Sequence, residues 1–183
     1  MSSTASVYTA GALASSPHSG LMPLVFFAMT AMHLWMGGMV GAARKKHRIP
    51  YPTLYAVPGT PRDYSPGEKK ELAGASSADP SLGDNNVSDA DAYAFNCVQR
   101  GHQNTLENMP VVVALLLVTW PAFPLPSAIC GFIWIAGRVL YMIGYSKGVA
   151  QRMWGAIAYV GFLGLLGLSL ATAAFLYNRT SAY

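Results

Sequence analysis

The sequence has 183 residues, of which 52% are hydrophobic and only 11% are charged. Soluble domains usually carry about 25% charged residues, so this composition excludes an ordinary soluble domain. Four apolar segments, at residues 21–43, 109–123, 128–144 and 154–177, are candidates for membrane helices. The sequence therefore predicts an all-α integral membrane protein, a four-helix bundle that forms a single domain over residues 21–183.

The formal net charge is +4, and eleven of the twelve Lys and Arg residues fall in segments that an odd-even topology places on one side of the membrane. The positive-inside rule makes that side cytosolic and puts both termini on the opposite side. No basic face is interleaved with aromatic residues, so we exclude nucleic acid as a partner. We expect membrane lipid to surround the helices instead.

Two segments lack the composition of a packed core. Residues 1–20 are rich in Ser, Thr and Ala, which predicts a flexible N-terminal tail. Residues 57–91 are rich in Pro, Gly, Ser, Asp and Asn and hold seven of the eight acids, which predicts a flexible cytosolic loop insertion. Cys97 and Cys130 have no paired spacing, so neither a disulfide framework nor a metal site is indicated.

Small residues recur at helical spacing in the first and last apolar segments. Gly37 and Gly41 form a Gly-x-x-x-Gly pair, and Gly164 with Gly167 begins a similar stripe that Ala171 continues. Such positions let helix backbones approach closely in membranes. We therefore expect each stripe to pack against a neighbouring helix.

Residues 95–110 form a polar block directly before an apolar run of only 15 residues, 109–123. Crossing the hydrocarbon takes about 20 helical residues, so part of the polar block must enter the membrane with that run. Charges in lipid face a bundle interior or a cavity and are functional candidates. Helical spacing puts a cation, two amides and a carboxylate on one stripe, which predicts a receptor for a small zwitterionic ligand. The stripe consists of Arg100, Asn104, Glu107 and Asn108.

Further polar side chains gather at the same cytosolic end of the bundle. An alternative explanation is that they are interfacial, since tyrosines form aromatic belts and arginines extend to lipid headgroups. Arg100 and Glu107 argue against it, because two charges inside a partly immersed segment are costly. The further side chains are Arg44, His102, Tyr141, Tyr145 and Arg152.

Three motifs carry a resemblance to a known family. They are the helix-two block Phe95-Asn-Cys-Val-Gln-Arg-Gly-His-Gln-Asn-Thr-Leu-Glu107, the segment Gly137-Arg-Val-Leu-Tyr-x-x-Gly-Tyr145, and the basic Ala43-Arg-Lys-Lys before Tyr51-Pro52. Together they resemble the microsomal glutathione S-transferase family, the membrane-associated proteins in eicosanoid and glutathione metabolism, and its type-three members most. The resemblance implies a homotrimer that binds glutathione between subunits at the cytosolic side. It also implies a lipophilic substrate that enters from the bilayer.

Site residues follow from the resemblance position by position. Arg100, Asn104 and Glu107 match the family's glutathione-binding Arg, Asn and Glu. The resemblance also assigns glutathione contacts to Tyr141, Tyr145 and Arg44, and His102 and Asn108 from the same block complete the predicted set. Arg152 matches the arginine thought to hold the thiolate, and it is the predicted catalytic residue. A guanidinium favours the thiolate over a thiol whose pKa is about 8.5.

Two positions depart from leukotriene-synthesising relatives. Asn108 replaces a Tyr directly after the helix-two Glu, and Gly164 replaces a Trp twelve residues after the catalytic arginine. These changes put leukotriene synthesis in doubt but leave thiol chemistry in place.

The leading hypothesis is a glutathione transferase or peroxidase that uses glutathione as co-substrate and acts on a lipophilic electrophile or a lipid hydroperoxide. The alternative is a non-catalytic lipid-binding partner, like the lipoxygenase-activating member of the same superfamily. A channel-like bundle would spread polar residues along a pore, whereas here they cluster at one end. The resemblance implies the endoplasmic reticulum (microsomal) membrane with the active site facing the cytosol, and the outer mitochondrial membrane is the other option.

Overall fold

The computed structural model describes residues 18–62 and 86–181, and in these ranges the chain forms four α-helices and one long 3-10 helix. The N-terminal tail therefore lies almost entirely outside the described residues, as do residues 63–85 of the predicted insertion. The helices are α1 Leu21–Lys46, α2 Asp89–Thr119, α3 Pro124–Tyr145, the 3-10 helix Ala150–Ile157 and α4 Ala158–Thr180.

The helices bury apolar side chains against one another and expose others on the outside. Met36, Leu116 and Trp134 are among the fully buried side chains, whereas Phe27 and Leu170 are more than 70% exposed. Exposed apolar side chains on this scale suit a lipid surround. In the described part of the chain, three segments are long and apolar enough to cross a membrane: α1, α3 and residues 150–179. The all-α membrane four-helix bundle predicted from the sequence is confirmed.

α2 differs from the other three helices because its first half is polar. It begins at Asp89, six residues before the polar block of residues 95–110. The Ser88 side chain accepts a hydrogen bond from the Asp91 backbone N–H, and Asp89 and Asp91 are in the first helical turn. A hydroxyl cap and acids at the helix N-terminus both stabilise this early start. The polar block is therefore helical throughout.

The ends of the predicted 57–91 insertion have defined structure. The Gly59 N–H donates to the Val87 carbonyl at 2.9 Å, and the Val87 N–H donates to the Thr60 carbonyl at 2.9 Å. Pro61 and Asn86 form an antiparallel bridge beside them, and residues 89–91 belong to α2. The flexible-loop hypothesis therefore now concerns only residues 63–85, which lie outside the described residues.

Glycines bring α3 and the following segment into close contact. A Cβ atom added at Gly144 would overlap the Gln151 carbonyl, and one added at Gly155 would overlap Tyr141. The tight 3-10 geometry of residues 150–157 accompanies this approach. The first residues of the apolar segment predicted at 154–177 are therefore 3-10 rather than α-helical.

The close helix packing predicted at the small-residue stripes is found at one glycine and not at three others. A Cβ atom at Gly164 would come within 2.6 Å of the Cys130 sulfur, so this glycine packs against α3 as expected. Around Gly37, Gly41 and Gly167, no other described part of the chain comes within 4 Å of such an atom. The expected close approach at these positions is therefore absent among the residues that the structure describes.

Candidate functional site

A cavity of about 450 Å³ lies between α2, α3 and the segment that leads into α4. Four of the predicted site residues line it, and they come from three different elements. Its wall also includes the aromatic side chains of Trp134 and Phe162, so polar and apolar surfaces meet in one space. The predicted residues on the wall are Asn104, Asn108, Tyr141 and Arg152.

Arg138 is a further cation on the cavity wall, and the sequence analysis did not include it in the site. Its side chain is only 6% exposed, and its Nη1 donates to the Asn104 Oδ1 at 2.9 Å. The guanidinium carbon lies 5.4 Å from the ring centres of both Trp134 and Tyr141. Its Nε finds no hydrogen-bond partner in the described part of the chain. A charge inside an apolar helix was the signal that could have identified it.

Asn104 and Asn108 present amides from successive turns of α2. The Asn108 Nδ2 donates to the Asn104 backbone carbonyl at 2.7 Å, which fixes the Asn108 side chain along the helix. The Asn104 side-chain oxygen accepts a hydrogen bond from the Arg138 guanidinium. The Asn104 amide nitrogen can therefore donate to a ligand.

Tyr141 and Tyr145 are one turn apart on α3, and their ring centres are 5.4 Å apart. Tyr141 lines the cavity, whereas Tyr145 is only 8% exposed and packs behind it. Among the described residues, Tyr145 therefore supports the predicted site without lining the cavity.

Arg152 lies in the 3-10 helix at the cavity edge, and its side chain is exposed. Its guanidinium makes no hydrogen bond or ion pair with the residues that the structure describes, so it remains available to an anion. Arg138 and Arg152 thus put two permanent positive charges beside one cavity, and both can attract a negative group there.

Arg100 and Glu107 lie on the exposed face of α2, outside the cavity wall. They are not bonded directly to each other. The Arg100 Nη1 donates to the Tyr55 hydroxyl oxygen at 3.3 Å, and the Tyr55 hydroxyl donates to the Gln103 Oε1. The Gln103 Nε2 then donates to the Glu107 Oε1 at 3.3 Å. The predicted stripe is therefore divided, with its amides facing the cavity and its charges on the outer face.

Arg44 is not brought to the cavity. It is 9% exposed, and its guanidinium donates to the carbonyls of Pro50 at 3.0 Å and Thr53 at 2.9 Å. The guanidinium carbon also lies 4.3 Å from the Tyr51 ring centre and 4.9 Å from that of Phe95. In this chain Arg44 organises the loop after α1, and its predicted contact with glutathione stays a prediction.

His102 is also separate from the cavity wall. Its ring stacks on His33 of α1, with the ring centres 5.2 Å apart. The His102 Nε2 and the His33 Nδ1 are buried and have no hydrogen-bond partner in the described part of the chain. The predicted glutathione contact of His102 therefore stays a prediction.

The loop after α1 is fixed to the start of α2 by an acid. Asp91 accepts from the Arg62 Nη2 at 2.8 Å, and its other oxygen is 2.7 Å from the His47 Nδ1. Hydrogen bonds from Arg62, His47 and Ser88 hold the pKa of Asp91 well below its usual range. The carboxylate is therefore charged at every physiological pH. Among the described residues no group of His, Cys, Asp and Glu is arranged to hold a metal ion.

Comparison with known proteins identifies the family of the chain. A human protein, microsomal glutathione S-transferase 2, is 33% identical over 75 residues, which is 40% of this chain. That match spans 51% of the relative's own length, so the chain aligns with about half of it. The model of the MAPEG family matches residues 22–174, which include all four α-helices nearly end to end. The chain therefore belongs to the MAPEG family, as its helix-two and helix-three motifs predicted.

Proposed function

We propose that this protein is a membrane-bound glutathione transferase, with glutathione peroxidase as a second activity. The observation that supports this best is the cavity in which two guanidinium groups and two amides meet an aromatic wall. Cations and amides suit an anionic peptide thiol, and the aromatic wall suits a lipophilic partner. One cavity could therefore receive both reactants.

In this proposal each polar residue has a defined role. Arg152 holds the sulfur of glutathione as the thiolate, the form that attacks electrophiles. Asn104, Asn108 and Tyr141 hold the peptide in the cavity, and Arg138 orients Asn104. Arg100 and Glu107 bind the charged ends of the peptide, with Arg44, His102 and Tyr145 as the remaining predicted contacts.

The chemistry balances for both activities. In conjugation, the thiolate sulfur forms a bond to an electrophilic carbon, and the electron pair leaves with a departing group or takes a proton after addition to a double bond. In peroxide reduction, the thiolate attacks the terminal peroxide oxygen, which breaks the O–O bond and leaves a sulfenic acid and an alkoxide that takes a proton to become the alcohol. A second glutathione then attacks the sulfenic sulfur, which forms the disulfide and releases water. Both routes begin with the thiolate.

We also propose the homotrimer with a shared site that the family resemblance implies, and the exposed charges on α2 support it. Arg100 and Glu107 face outwards from a bundle whose outer surface is otherwise rich in exposed apolar side chains. Charges facing lipid would be costly, so a second copy of the chain is the expected cover. We propose that the protein lies in the endoplasmic reticulum membrane, or in the outer mitochondrial membrane, with this end of the bundle facing the cytosol.

The test uses the full chain purified in detergent or nanodiscs. Rapid mixing with glutathione should produce the ultraviolet absorbance of a thiolate near neutral pH. A model electrophile or a lipid hydroperoxide should then be consumed at a rate proportional to the protein concentration. Binding of a lipophilic ligand without any thiolate or turnover would contradict the proposal and favour the alternative, a non-catalytic lipid-binding partner.

A further inference from the structure

The hydroxyl of Tyr55 lies at the centre of a hydrogen-bond chain that no motif in the sequence predicted. It accepts from the Arg100 guanidinium and donates to the Gln103 side-chain oxygen. Tyr55 comes from the loop after α1, 45 residues before Arg100 in sequence. A loop residue therefore contacts the polar face of α2 just where the predicted ligand charges lie.

The loop holds Tyr55 in place by bonds on both sides of it. The carbonyl of Thr53 accepts from the Arg44 Nη2 at 2.9 Å. The Ala56 N–H donates to the Asn96 Oδ1 at 2.8 Å, and the Asn96 Nδ2 donates back to the Ala56 carbonyl at 2.9 Å. The backbone of Tyr55 is thus fixed without its hydroxyl. Removing the hydroxyl should leave the loop where it is.

Gln103 connects the Tyr55 hydroxyl to Glu107 by hydrogen bonds at both ends of its side-chain amide. Its amide oxygen receives the Tyr55 hydroxyl and its amide nitrogen donates to the Glu107 Oε1, so both ends of the amide are committed. Arg100 and Glu107 are seven residues apart, which corresponds to about 10 Å along the helix. Exposed Arg and Glu side chains would otherwise sample many rotamers, and binding would have to order them.

The bonds also leave capacity for a ligand. Among the described residues, the second Nη and the Nε of Arg100 have no partner, and neither does the Oε2 of Glu107. The cation can therefore take a carboxylate while the acid takes an ammonium group. Because Tyr55 and Gln103 lie between them, the two charges are kept from neutralising each other.

From this geometry we propose that Tyr55 and Gln103 are positioning residues. They hold the Arg100 guanidinium and the Glu107 carboxylate apart for the oppositely charged ends of a zwitterionic peptide. The inference rests on the proposed function, in which glutathione is that peptide. It adds two residues that act on peptide affinity and leave thiol activation, at Arg152 in the cavity, unchanged.

The test compares Tyr55→Phe with Tyr51→Phe, the same substitution in the same loop. Tyr51 is 74% exposed and stacks on Arg44 through its ring, which Phe retains. Tyr55→Phe removes both hydrogen bonds of the hydroxyl and should raise the Kd for glutathione about five-fold, because the charges that they position must then be ordered by binding. Gln103→Leu should have a similar effect. The rate at saturating glutathione and the pH at which thiolate forms should not change in either variant, and Tyr51→Phe should match the unsubstituted protein.

A double-mutant cycle separates positioning from general support of the fold. In an Arg100→Ala background, Tyr55→Phe should raise the Kd by clearly less than about five-fold, because one of the two charges that Tyr55 positions is gone while the path through Gln103 to Glu107 remains. An equal Kd for Tyr55→Phe and the unsubstituted protein would overturn the inference and leave the proposed function standing. A five-fold loss that persists in the Arg100→Ala background, with a lower unfolding temperature, would overturn it too. Failure of the unsubstituted protein to bind glutathione would overturn the proposed function along with it.

Discussion

The cavity and the outer face of α2 hold the same kinds of polar side chain in different physical settings. In the cavity, Arg138 is buried and bonded to Asn104, and the walls come from helices that pack within one chain. On the outer face, Arg100 and Glu107 are exposed. The loop residue Tyr55 holds Arg100 directly and holds Glu107 through Gln103. The described cavity wall thus comes from one chain. The outer face needs the loop and, in our proposal, a second subunit.

This difference assigns separate jobs to the two regions. In our proposal, bound glutathione covers Arg152, which is exposed in the described chain, and the apolar part of the cavity wall then strengthens the attraction between its guanidinium and the thiolate. Water weakens the exposed charges, so they are better suited to selecting and holding the peptide. Substitutions in the cavity should change chemistry most, and substitutions on the outer face should change affinity most.

The largest effect should come from Arg152→Ala. Without its guanidinium, the pKa of the glutathione thiol should return towards about 8.5, and each unit of that return corresponds to about 1.36 kcal/mol. We expect turnover at pH 7 to fall by about 10²-fold, the scale of losing one electrostatic contact in a transition state. Thiolate absorbance and product formation across a pH series measure both quantities, and the rate should recover partly at high pH.

Arg179→Ala is the matched control for Arg152→Ala, because Arg179 lies near the other end of the same helical segment and stacks on Phe175. It should leave thiolate formation unchanged, and Arg152→Ala should keep glutathione affinity within a few fold. An Arg152→Ala protein that forms thiolate as readily as the unsubstituted one at every pH would remove Arg152 from the chemistry.

A smaller effect should follow Arg138→Met, and it should appear in function rather than in stability. Arg138 is buried with one protein hydrogen bond and an unpartnered Nε, so its desolvation is poorly compensated. Replacing such a cation by an apolar side chain of similar length is often neutral or stabilising. We expect an unfolding temperature equal to or above that of the unsubstituted protein, with glutathione affinity about ten-fold weaker because Asn104 loses its orientation.

Thermal unfolding and calorimetry on the same preparation test this separation. Asn104→Ala should reproduce the affinity loss, since it removes the group that Arg138 orients. If Arg138→Met instead unfolds at a much lower temperature while the folded fraction binds glutathione normally, Arg138 is a structural residue and the cavity works without it.

Sequence reasoning identified the fold and the cavity residues on α2 because both depend on local pattern. Apolar runs and the polar block set the helices, and helical spacing put Asn104 beside Asn108. Arg138 was not predicted as a site residue, although its charge inside an apolar helix was a signal. Its burial and its contact with Trp134 could not be read from spacing. Tyr55 could not be predicted, since no local signal in the loop shows that its hydroxyl reaches a helix 45 residues later.

The smallest effect should follow removal of residues 63–85 and their replacement by a short Gly-Ser linker. The flanking residues already meet, through the bridge between Pro61 and Asn86 and the backbone bonds that Val87 makes with Gly59 and Thr60. Arg62 and Asp91 remain bonded outside the deletion, so the loop that carries Tyr55 should keep its position. We expect the Kd for glutathione and the turnover to stay within two-fold, and Tyr55→Phe should still cost about five-fold in the shortened protein. Loss of binding or turnover in the shortened protein would show that residues 63–85 form part of the site rather than a linker. The site on the outer face of α2 would then include residues 63–85 as well as the loop that carries Tyr55 and the second subunit.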